Sequence, residues 1–316
     1  MSVVGLGCWQ IGSGWGTVGD RQALDVLQAA VEHGITFFDT ADVYGDGRSE
    51  QLIGRFLRER PDARVTVATK MGRRATPHVA EAYTPQAFRD WTDRSRTNLG
   101  TDRLDLVQLH CPPSEVISRD AVYDALDALV ESGAVAAYGV SVETCQEALT
   151  AMERPGVATV QIVLNAFRHK PLEQVLPAAL AAGVGIIARV PLASGLLSGR
   201  YDESTVFAPD DHRTYNRAGE AFDVGETFSG VPFDVGLAAV QELRELPGEG
   251  VGTARFALRW ILDQAGTSVV IPGARHAGQV EGNAAAAGLP PLTRTQLEQV
   301  RSVYDRRIRP LVHDRW

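Results

Sequence analysis

An acidic residue and a tyrosine stand five positions apart early in the chain, where both side chains could handle protons. Asp39 ends the apolar run 35–38, and Tyr44 follows in a glycine-flanked loop. The apolar run is typical of a buried strand. A carboxylate at the end of such a run can be a turn former or a helix cap as readily as a catalytic group. The pair therefore indicates chemistry only if other strands end in comparable residues.

Polar side chains do end several other apolar runs. These residues are Lys70, His110, Ser141, Gln161 (slightly inside its run), Arg189 and the turn 272–275. Lys70 is one of only two lysines among 31 basic residues, which indicates a need for a compact, titratable cation. Taken singly, Lys70 could reach solvent, His110 could be a core histidine and Ser141 could cap a helix. Because they follow one run after another, we interpret them as one site.

Eight apolar runs, each followed by a helical pattern, must position these residues. We predict strands at 3–6, 35–39, 64–70, 104–110, 136–141, 159–163, 184–189 and 268–271. The first two helices are predicted to be capped by Asp20 and Ser49. Further helices are predicted at 84–99, 118–132, 144–152, 171–182, 234–246, 253–264, 277–287 and 293–306, the last opening with a Thr-x-x-Gln capping box.

Eight such units favour a closed (β/α)8 TIM barrel, formed as a single domain by residues 1–316, over a doubly wound open sheet. The open-sheet alternative lacks its phosphate motif, because GLGCWQIGSGWG is not followed by Gly-Lys-Ser/Thr. A barrel carries its active site at the C-terminal strand ends, where the polar residues stand. The long aperiodic segment 201–232 after the seventh strand is predicted to be a lid, with disorder as the alternative.

Composition and charge exclude some classes of partner and indicate a cellular compartment. The net charge is −8 without a basic cluster, so nucleic acid is not expected as a partner. No apolar run is long enough to span a bilayer, and the uncharged, glycine-rich residues 1–19 do not fit a signal peptide. Cys8, Cys111 and Cys145 are widely spaced and form no metal or disulfide pattern. We therefore expect a cytoplasmic protein without a metal site.

The runs FFDTADVYG, VTVATKMG, LDLVQLH, AYGVS and VQIVLN resemble successive motifs of the aldo-keto reductase superfamily, over nearly the whole chain. The resemblance implies a (β/α)8 barrel that reduces aldehydes or ketones with NADPH. It implies a catalytic tetrad of Asp39, Tyr44, Lys70 and His110. Tyr44 would donate the proton, the Lys70 cation would lower the pKa of Tyr44, and Asp39 would hold the lysine. His110 would donate to the same substrate oxygen.

The resemblance also implies a set of residues that bind NADP(H). Ser141 and Gln161, with Asn165 nearby, would hold the nicotinamide carboxamide. The loop after Arg189, with Leu192 and Gly195, would hold the pyrophosphate. The adenosine end would meet Gly273, Arg275, Gln279 and Asn283. Arg275 would recognise the 2′-phosphate and favour NADPH over NADH, unless it is only a solvent-facing residue at a helix start.

The sequence departs from the family pattern in four places. Val142 stands where many members have asparagine, and Arg189 stands where a tyrosine often stacks under the nicotinamide. Gly273 and Ala274 replace a common lysine-serine pair. The hairpin with which the family usually begins is not found in this sequence, which would make it a short form or the product of a downstream start.

Two other functions stay open on the residues alone. One is a non-catalytic subunit that senses NADP(H), since the potassium-channel β subunits are similar to this family. The other is an aldolase-type barrel with Lys70 as a Schiff-base nucleophile, which would leave Tyr44 without a role. Neither the particular carbonyl substrate nor the oligomeric state is predicted.

Overall fold

Eight parallel strands lie at the centre of the structure, a computed structural model that describes residues 1–316. Each strand pairs with the next in chain order. The strands are β1 (Leu6–Gly7), β2 (Phe37–Asp39), β3 (Thr66–Met71), β4 (Leu106–His110), β5 (Tyr138–Ser141), β6 (Val157–Val163), β7 (Gly185–Arg189) and β8 (Thr267–Val270). All eight predicted strands are present. The ends shift by a few residues, most at β1, which was predicted from residue 3.

The sheet closes on itself through backbone hydrogen bonds beside β1 and β8. The amide of Gly5 donates to Val270 O at 2.8 Å, and the amide of Val270 donates to Val3 O at 3.0 Å. The amide of Gly7 donates to Pro272 O at 3.0 Å. The predicted (β/α)8 barrel is therefore confirmed.

Side-chain alternation along the strands explains why the polar residues share one end of the barrel. A small apolar cluster includes Phe37, Ala68, Leu106 and Ile187, each on a different strand. Successive strand residues point to opposite faces, so residues two positions further along share the direction of this cluster. Those residues are Asp39, Lys70, Gln108 and Arg189, and His110 lies two beyond Gln108. An apolar layer is thus followed by a polar layer toward the C-terminal ends.

Fourteen helical segments surround or cap the barrel. They are α1 (Trp9–Gly12), α2 (Asp20–Glu32), α3 (Arg48–Glu59), α4 (Pro85–Leu99), α5 (Ser114–Ile117), α6 (Asp120–Glu131), α7 (Cys145–Met152), α8 (Val175–Ala182), α9 (His212–Tyr215), α10 (Phe233–Leu243), α11 (Thr253–Leu262), α12 (Ala277–Ala284), α13 (Arg294–Val303) and α14 (Arg309–Val312). The predicted capping box at Thr293 is confirmed. No helix is both long enough and apolar enough to cross a membrane.

Two predicted caps and one predicted helix start are wrong. The cap of α2 is Gly19, and that of α3 is Gly47, which adopts the left-handed conformation with φ 95°. Ser49 lies inside α3, where its hydroxyl donates to Cys8 O at 2.9 Å and accepts from Thr40 at 2.8 Å. The Ser49 hydroxyl thus connects the residue after β1 to the loop after β2 and does not cap the helix. The helix predicted at 171–182 is interrupted, because Lys170–Leu172 forms a separate 3-10 turn before α8.

The segment 201–232 is irregular, as its lack of periodicity predicts. It contains only α9 and two 3-10 turns, Val224–Glu226 and Phe228–Gly230. It lies beside the C-terminal strand ends, because Phe207, Arg213 and Glu226 line the same cavity as Tyr44. The segment therefore borders the candidate site.

Candidate active site

The ends of β2, β3 and β4 bring Asp39, Lys70 and His110 together with Tyr44 from the loop after β2. Lys70 Nζ donates to Asp39 Oδ1 at 2.5 Å and to Tyr44 Oη at 3.3 Å. It also donates to Thr40 O at 2.8 Å, and only 1 % of the lysine is exposed. All three protons of the ammonium group are thus used inside the barrel. This geometry can hold a positive charge beside a phenol.

The Lys70 cation is stabilised by its neighbours. Burial acts to lower the pKa of the Lys70 amine, but Asp39 and Tyr44 oppose it and raise that pKa above its usual value. A Schiff-base nucleophile must lose its proton, so this environment disfavours the aldolase alternative.

The pKa of Tyr44 differs from the sequence-based expectation. Burial is the largest effect on the pKa of Tyr44, and Asp39 and Glu226 act in the same direction, so that the pKa is raised to about 12. Lys70 lowers it, as expected, but does not outweigh burial. The phenol therefore keeps its proton throughout the neutral range, which suits a proton donor better than a tyrosinate base.

His110 is positioned as a neutral hydrogen-bond donor. Its ring lies edge-on to Tyr44, with centroids 5.8 Å apart. Burial, followed by the charges of Arg73, Lys70 and Arg189, holds the pKa of His110 well below its usual value. A neutral imidazole carries one N–H, which can be directed at an oxygen in the cavity.

Two glutamines and a tryptophan complete this end of the site. Gln108 and Gln161 each donate from Nε2 to Asp39 Oδ2, at 3.3 Å and 2.7 Å. Trp9 stacks on Tyr44, with centroids 5.9 Å apart and an interplanar angle of 16°. Sequence reasoning missed Gln108 and Trp9. The alternation in β4 would have identified Gln108, which lies two residues before His110.

A cavity of about 670 Å³ opens above these residues and is lined by Asp39, Tyr44 and His110. It is also lined by nine of the ten residues predicted to bind a cofactor: Ser141, Gln161, Arg189, Leu192, Gly195, Gly273, Arg275, Gln279 and Asn283. The volume is within the range of ligand-binding clefts. The structure thus brings the predicted catalytic and binding residues to one cavity.

Asn165 is the exception. Its Nδ2 donates to Val190 O and to Ser229 Oγ, both at 2.8 Å, and its Oδ1 accepts from the amide of Phe167 at 2.8 Å. Its polar atoms are therefore occupied by protein groups, one of which, Val190, lines the cavity. Asn165 itself does not line the cavity.

The cavity can accept a polyanion. Five arginines line it, Arg189, Arg200, Arg213, Arg255 and Arg275, against two carboxylates, Asp39 and Glu226. Gly273 also lines it. Because glycine has no side chain, the backbone itself can approach a ligand closely there.

Comparison with known proteins identifies the family of the chain. The family model for the aldo/keto reductase family matches residues 3–305. The chain belongs to the aldo/keto reductase family. It is therefore an oxidoreductase.

Relatives match over most of their length. The aldo-keto reductase YhdN of Bacillus subtilis (strain 168) is 30% identical over 292 residues, covering 89% of this chain and 83% of that protein. The glycerol dehydrogenase AKR11B4 of Gluconobacter oxydans has a similar structure, with TM-score 0.78, 30% identity and coverage of 98% and 93%. An aldo-keto reductase of Klebsiella pneumoniae in complex with NADPH has TM-score 0.71, 23% identity and coverage of 96% and 91%. The last likeness bears on the fold alone.

Arg189 of this reductase is fixed at the end of β7 by acceptors on its neighbours. Its Nη2 donates to Glu143 Oε2 at 2.7 Å and to Val142 O at 3.0 Å. Its Nη1 lies 3.8 Å from Glu226 Oε1. The residue that departs from the family pattern is thus part of a buried ion-pair cluster beside the cavity. Glu143 and Glu226 do not lie in periodic stretches of the sequence, so their place in this cluster could not be predicted.

Proposed function

We propose that this reductase catalyses the reversible, NADPH-dependent reduction of an aldehyde or ketone to an alcohol, with Tyr44 as the proton donor. The observation that carries the proposal is the buried chain of contacts from Asp39 through Lys70 to Tyr44 at the cavity. The substrate is a small carbonyl compound.

The residues act on the carbonyl oxygen. Bound NADPH would supply the hydride, after which negative charge would develop on that oxygen. Tyr44 gives its proton to the oxygen, and the Lys70 ammonium stabilises the phenolate that remains. Neutral His110 donates a hydrogen bond to the same oxygen and orients the carbonyl group. Asp39 keeps Lys70 charged and in place, and the amides of Gln108 and Gln161 keep Asp39 in place.

The cofactor of the reaction is NADP(H). Ser141, Gln161 and Arg189 would hold its nicotinamide end, since they line the cavity beside Tyr44. Leu192 and Gly195 would hold the pyrophosphate. At the adenosine end the turn after β8 is already ordered, because the Arg275 amide donates to Gln279 Oε1 at 2.7 Å. Asn283, on α12, donates from Nδ2 to Gly273 O in this turn at 3.3 Å.

The complete tetrad favours catalysis over cofactor sensing. A protein that only senses NADP(H) has no need for a lysine-carboxylate pair buried under a tyrosine, and a buried pair carries a desolvation cost. The pair is explained if Tyr44 must transfer a proton.

NADPH consumption with a panel of aldehydes, ketones and sugars tests the proposal. Wild type should oxidise NADPH with at least one carbonyl compound, and Tyr44→Phe should lower kcat by about 10²–10⁴-fold. Tyr215→Phe is the matched control, because Tyr215 lies outside the cavity and should keep full activity. NADPH binding, followed by fluorescence, should be retained in both variants. No turnover by wild type, or full activity of Tyr44→Phe, would contradict the proposal.

A further inference from the structure

Glu226 is a cavity carboxylate that the reaction described above does not use. Of the two carboxylates that line the cavity, Asp39 is bound by Lys70, Gln108 and Gln161. Glu226 Oε1 accepts from Arg73 Nη1 at 3.0 Å, and a carboxyl oxygen of Glu143 lies within 4.8 Å of the Glu226 carboxylate. The Glu226 carboxylate is about nine-tenths buried but lines the cavity, where it can meet a ligand.

Glu226 remains ionised in this position. Burial alone would raise the pKa of the Glu226 carboxyl, but Arg73 and Arg189, together with a hydrogen bond from Glu143, outweigh it and lower that pKa to about 2. An ionised carboxylate only accepts hydrogen bonds, and it accepts them more strongly than a neutral oxygen. The Glu226 carboxylate is therefore suited to a hydroxyl donor and unsuited to an anion.

The carboxylate lies close to the reacting groups. A Glu226 oxygen lies within 4.8 Å of Cys111 Sγ, and Cys111 directly follows His110. Its charge also contributes to the raised pKa of Tyr44. Glu226 therefore lines the same cavity as Tyr44 and His110, close enough for its charge to act on the phenol.

The backbone around Glu226 is held in an uncommon conformation. We call residues 223–230 the Glu226 segment. Phe228 and Ser229 adopt left-handed backbone conformations, with φ 51° and φ 60°. Residues other than glycine adopt this conformation only at a cost in free energy. Ser194 Oγ donates to Glu226 O at 2.9 Å, and Asn165 Nδ2 donates to Ser229 Oγ at 2.8 Å. The protein therefore fixes this segment, and with it the position of the carboxylate.

We infer that Glu226 binds the substrate and selects carbonyl compounds that carry a hydroxyl group beside the carbonyl, namely hydroxyaldehydes and hydroxyketones. The inference rests on the proposed function, since it names the substrate class of the same site. Glu226 accepts a hydrogen bond from the substrate hydroxyl while Tyr44 and His110 hold the carbonyl oxygen. Selectivity follows because an unsubstituted aldehyde leaves the carboxylate oxygen without a donor.

Two three-carbon aldehydes, glyceraldehyde and propanal, test this directly because they differ only in their hydroxyl groups. Wild type should have the higher kcat/KM for glyceraldehyde. Glu226→Gln should lower kcat/KM for glyceraldehyde roughly tenfold or more beyond any change for propanal, the loss expected for a charge-assisted hydrogen bond. The change should fall mainly on KM.

Glu143→Ala is the matched control. It removes one carboxylate from the same ion-pair cluster, but Glu143 does not line the cavity, so the preference for glyceraldehyde should persist. NADPH dissociation constants and thermal unfolding show whether each variant is folded. If Glu226→Gln does not fold, Glu226→Asp, which keeps the charge but withdraws the oxygen, should give the same selective loss.

The outcomes separate the two proposals. Equal loss on both aldehydes in Glu226→Gln, or a wild type without preference for glyceraldehyde, would overturn the role of Glu226 while leaving carbonyl reduction in place. Failure of wild type to reduce any carbonyl compound would overturn the proposed function and this inference together.

Discussion

Trp316, the last residue of the chain, donates a hydrogen bond from Nε1 to Asp223 Oδ1 over 3.0 Å. Its ring lies against the backbone of the Glu226 segment at Gly225 and Gly230. A Cβ atom at these glycines would come within 3.0 Å and 2.4 Å of the ring. Because the two glycines flank Glu226, the C-terminal residue holds the carboxylate in position.

Replacing Trp316 should loosen the Glu226 segment. Trp316→Ala removes a hydrogen bond and a buried ring, together worth more than about 1.4 kcal/mol, so KM for the carbonyl substrate should rise roughly tenfold or more. The effect on kcat should be smaller, since the tetrad is untouched. Limited proteolysis within 201–232 should also become faster. Leu311→Ala, at an exposed position of the same tail, is the control and should change neither measurement.

The Lys70–Asp39 pair gives a prediction about stability. Both side chains are buried, and their charged atoms are 2.5 Å apart. Lys70→Met leaves the Asp39 carboxylate without its cation and should lower the free energy of unfolding by about 3–5 kcal/mol. Adding Asp39→Asn removes the uncompensated charge and should restore much of that loss, although both variants lack activity. Urea unfolding measures the difference, and simple addition of the two single effects would contradict this account.

Asp42 gives a prediction about pH. Both of its carboxylate oxygens are buried without a hydrogen-bond partner. Burial, followed by the charge of Glu50, raises the pKa of Asp42 to about 7 from 3.8. Between these two values the unfolded chain loses the proton and the folded chain keeps it. The contribution of Asp42 to the free energy of unfolding should therefore fall as pH rises from about 4 to about 7, and stay constant above that.

Asp42→Asn should remove this dependence. Relative to wild type, the variant should gain stability as pH rises from about 4 to about 7, and keep that gain above pH 7. The gain should reach a few kcal/mol, because each tenfold change in proton affinity corresponds to about 1.4 kcal/mol. Urea unfolding at a series of pH values measures the gain. Asp25→Asn, on an exposed position of α2, is the control. Parallel pH profiles for wild type and Asp42→Asn would show that Asp42 is ionised in the folded protein.

Much of the site could be predicted because strand periodicity and strand ends are local features. Asp39, Lys70 and His110 end apolar runs, and a barrel collects such ends on one side. The same alternation predicts that Gln108 points into the site, although Gln108 lies within its apolar run and not at the end of it. Arg275 and Gln279 could also be predicted as cavity residues from local sequence, because a strand end leads directly into a helix at this point.

The remainder depends on contacts between distant residues that no periodic pattern marks. Arg73 pairs with Glu226 across 153 positions, and Asn165 reaches Ser229 across 64. The second contact, with those to Val190 and Phe167, occupies the side-chain amide of Asn165. Burial of Tyr44 likewise arises from the whole fold, so its raised pKa could not be read from the neighbouring lysine.

The choice between NADPH and NADH can be tested at Arg275. The backbone of this residue is fixed from both sides, because Gln22 Nε2 donates to its carbonyl at 2.5 Å and its amide donates to Gln279. Its guanidinium group lines the cavity near Gly16 and forms no ion pair with a carboxylate. A fixed backbone with an unpaired cation fits the recognition of a phosphate group better than a solvent-facing helix start.

Arg275→Ala should therefore discriminate between the two cofactors. The 2′-phosphate that distinguishes NADPH carries between one and two negative charges near neutral pH, as phosphate monoesters do. Loss of one charge-assisted contact costs about 1.5–3 kcal/mol, so the Kd for NADPH should rise roughly tenfold or more while the Kd for NADH stays nearly unchanged. Arg294→Ala is the control, since that side chain is 92% exposed on α13. Fluorescence titration gives both constants. Equal weakening of NADPH and NADH, or tighter binding of NADH by wild type, would show that Arg275 does not read the phosphate.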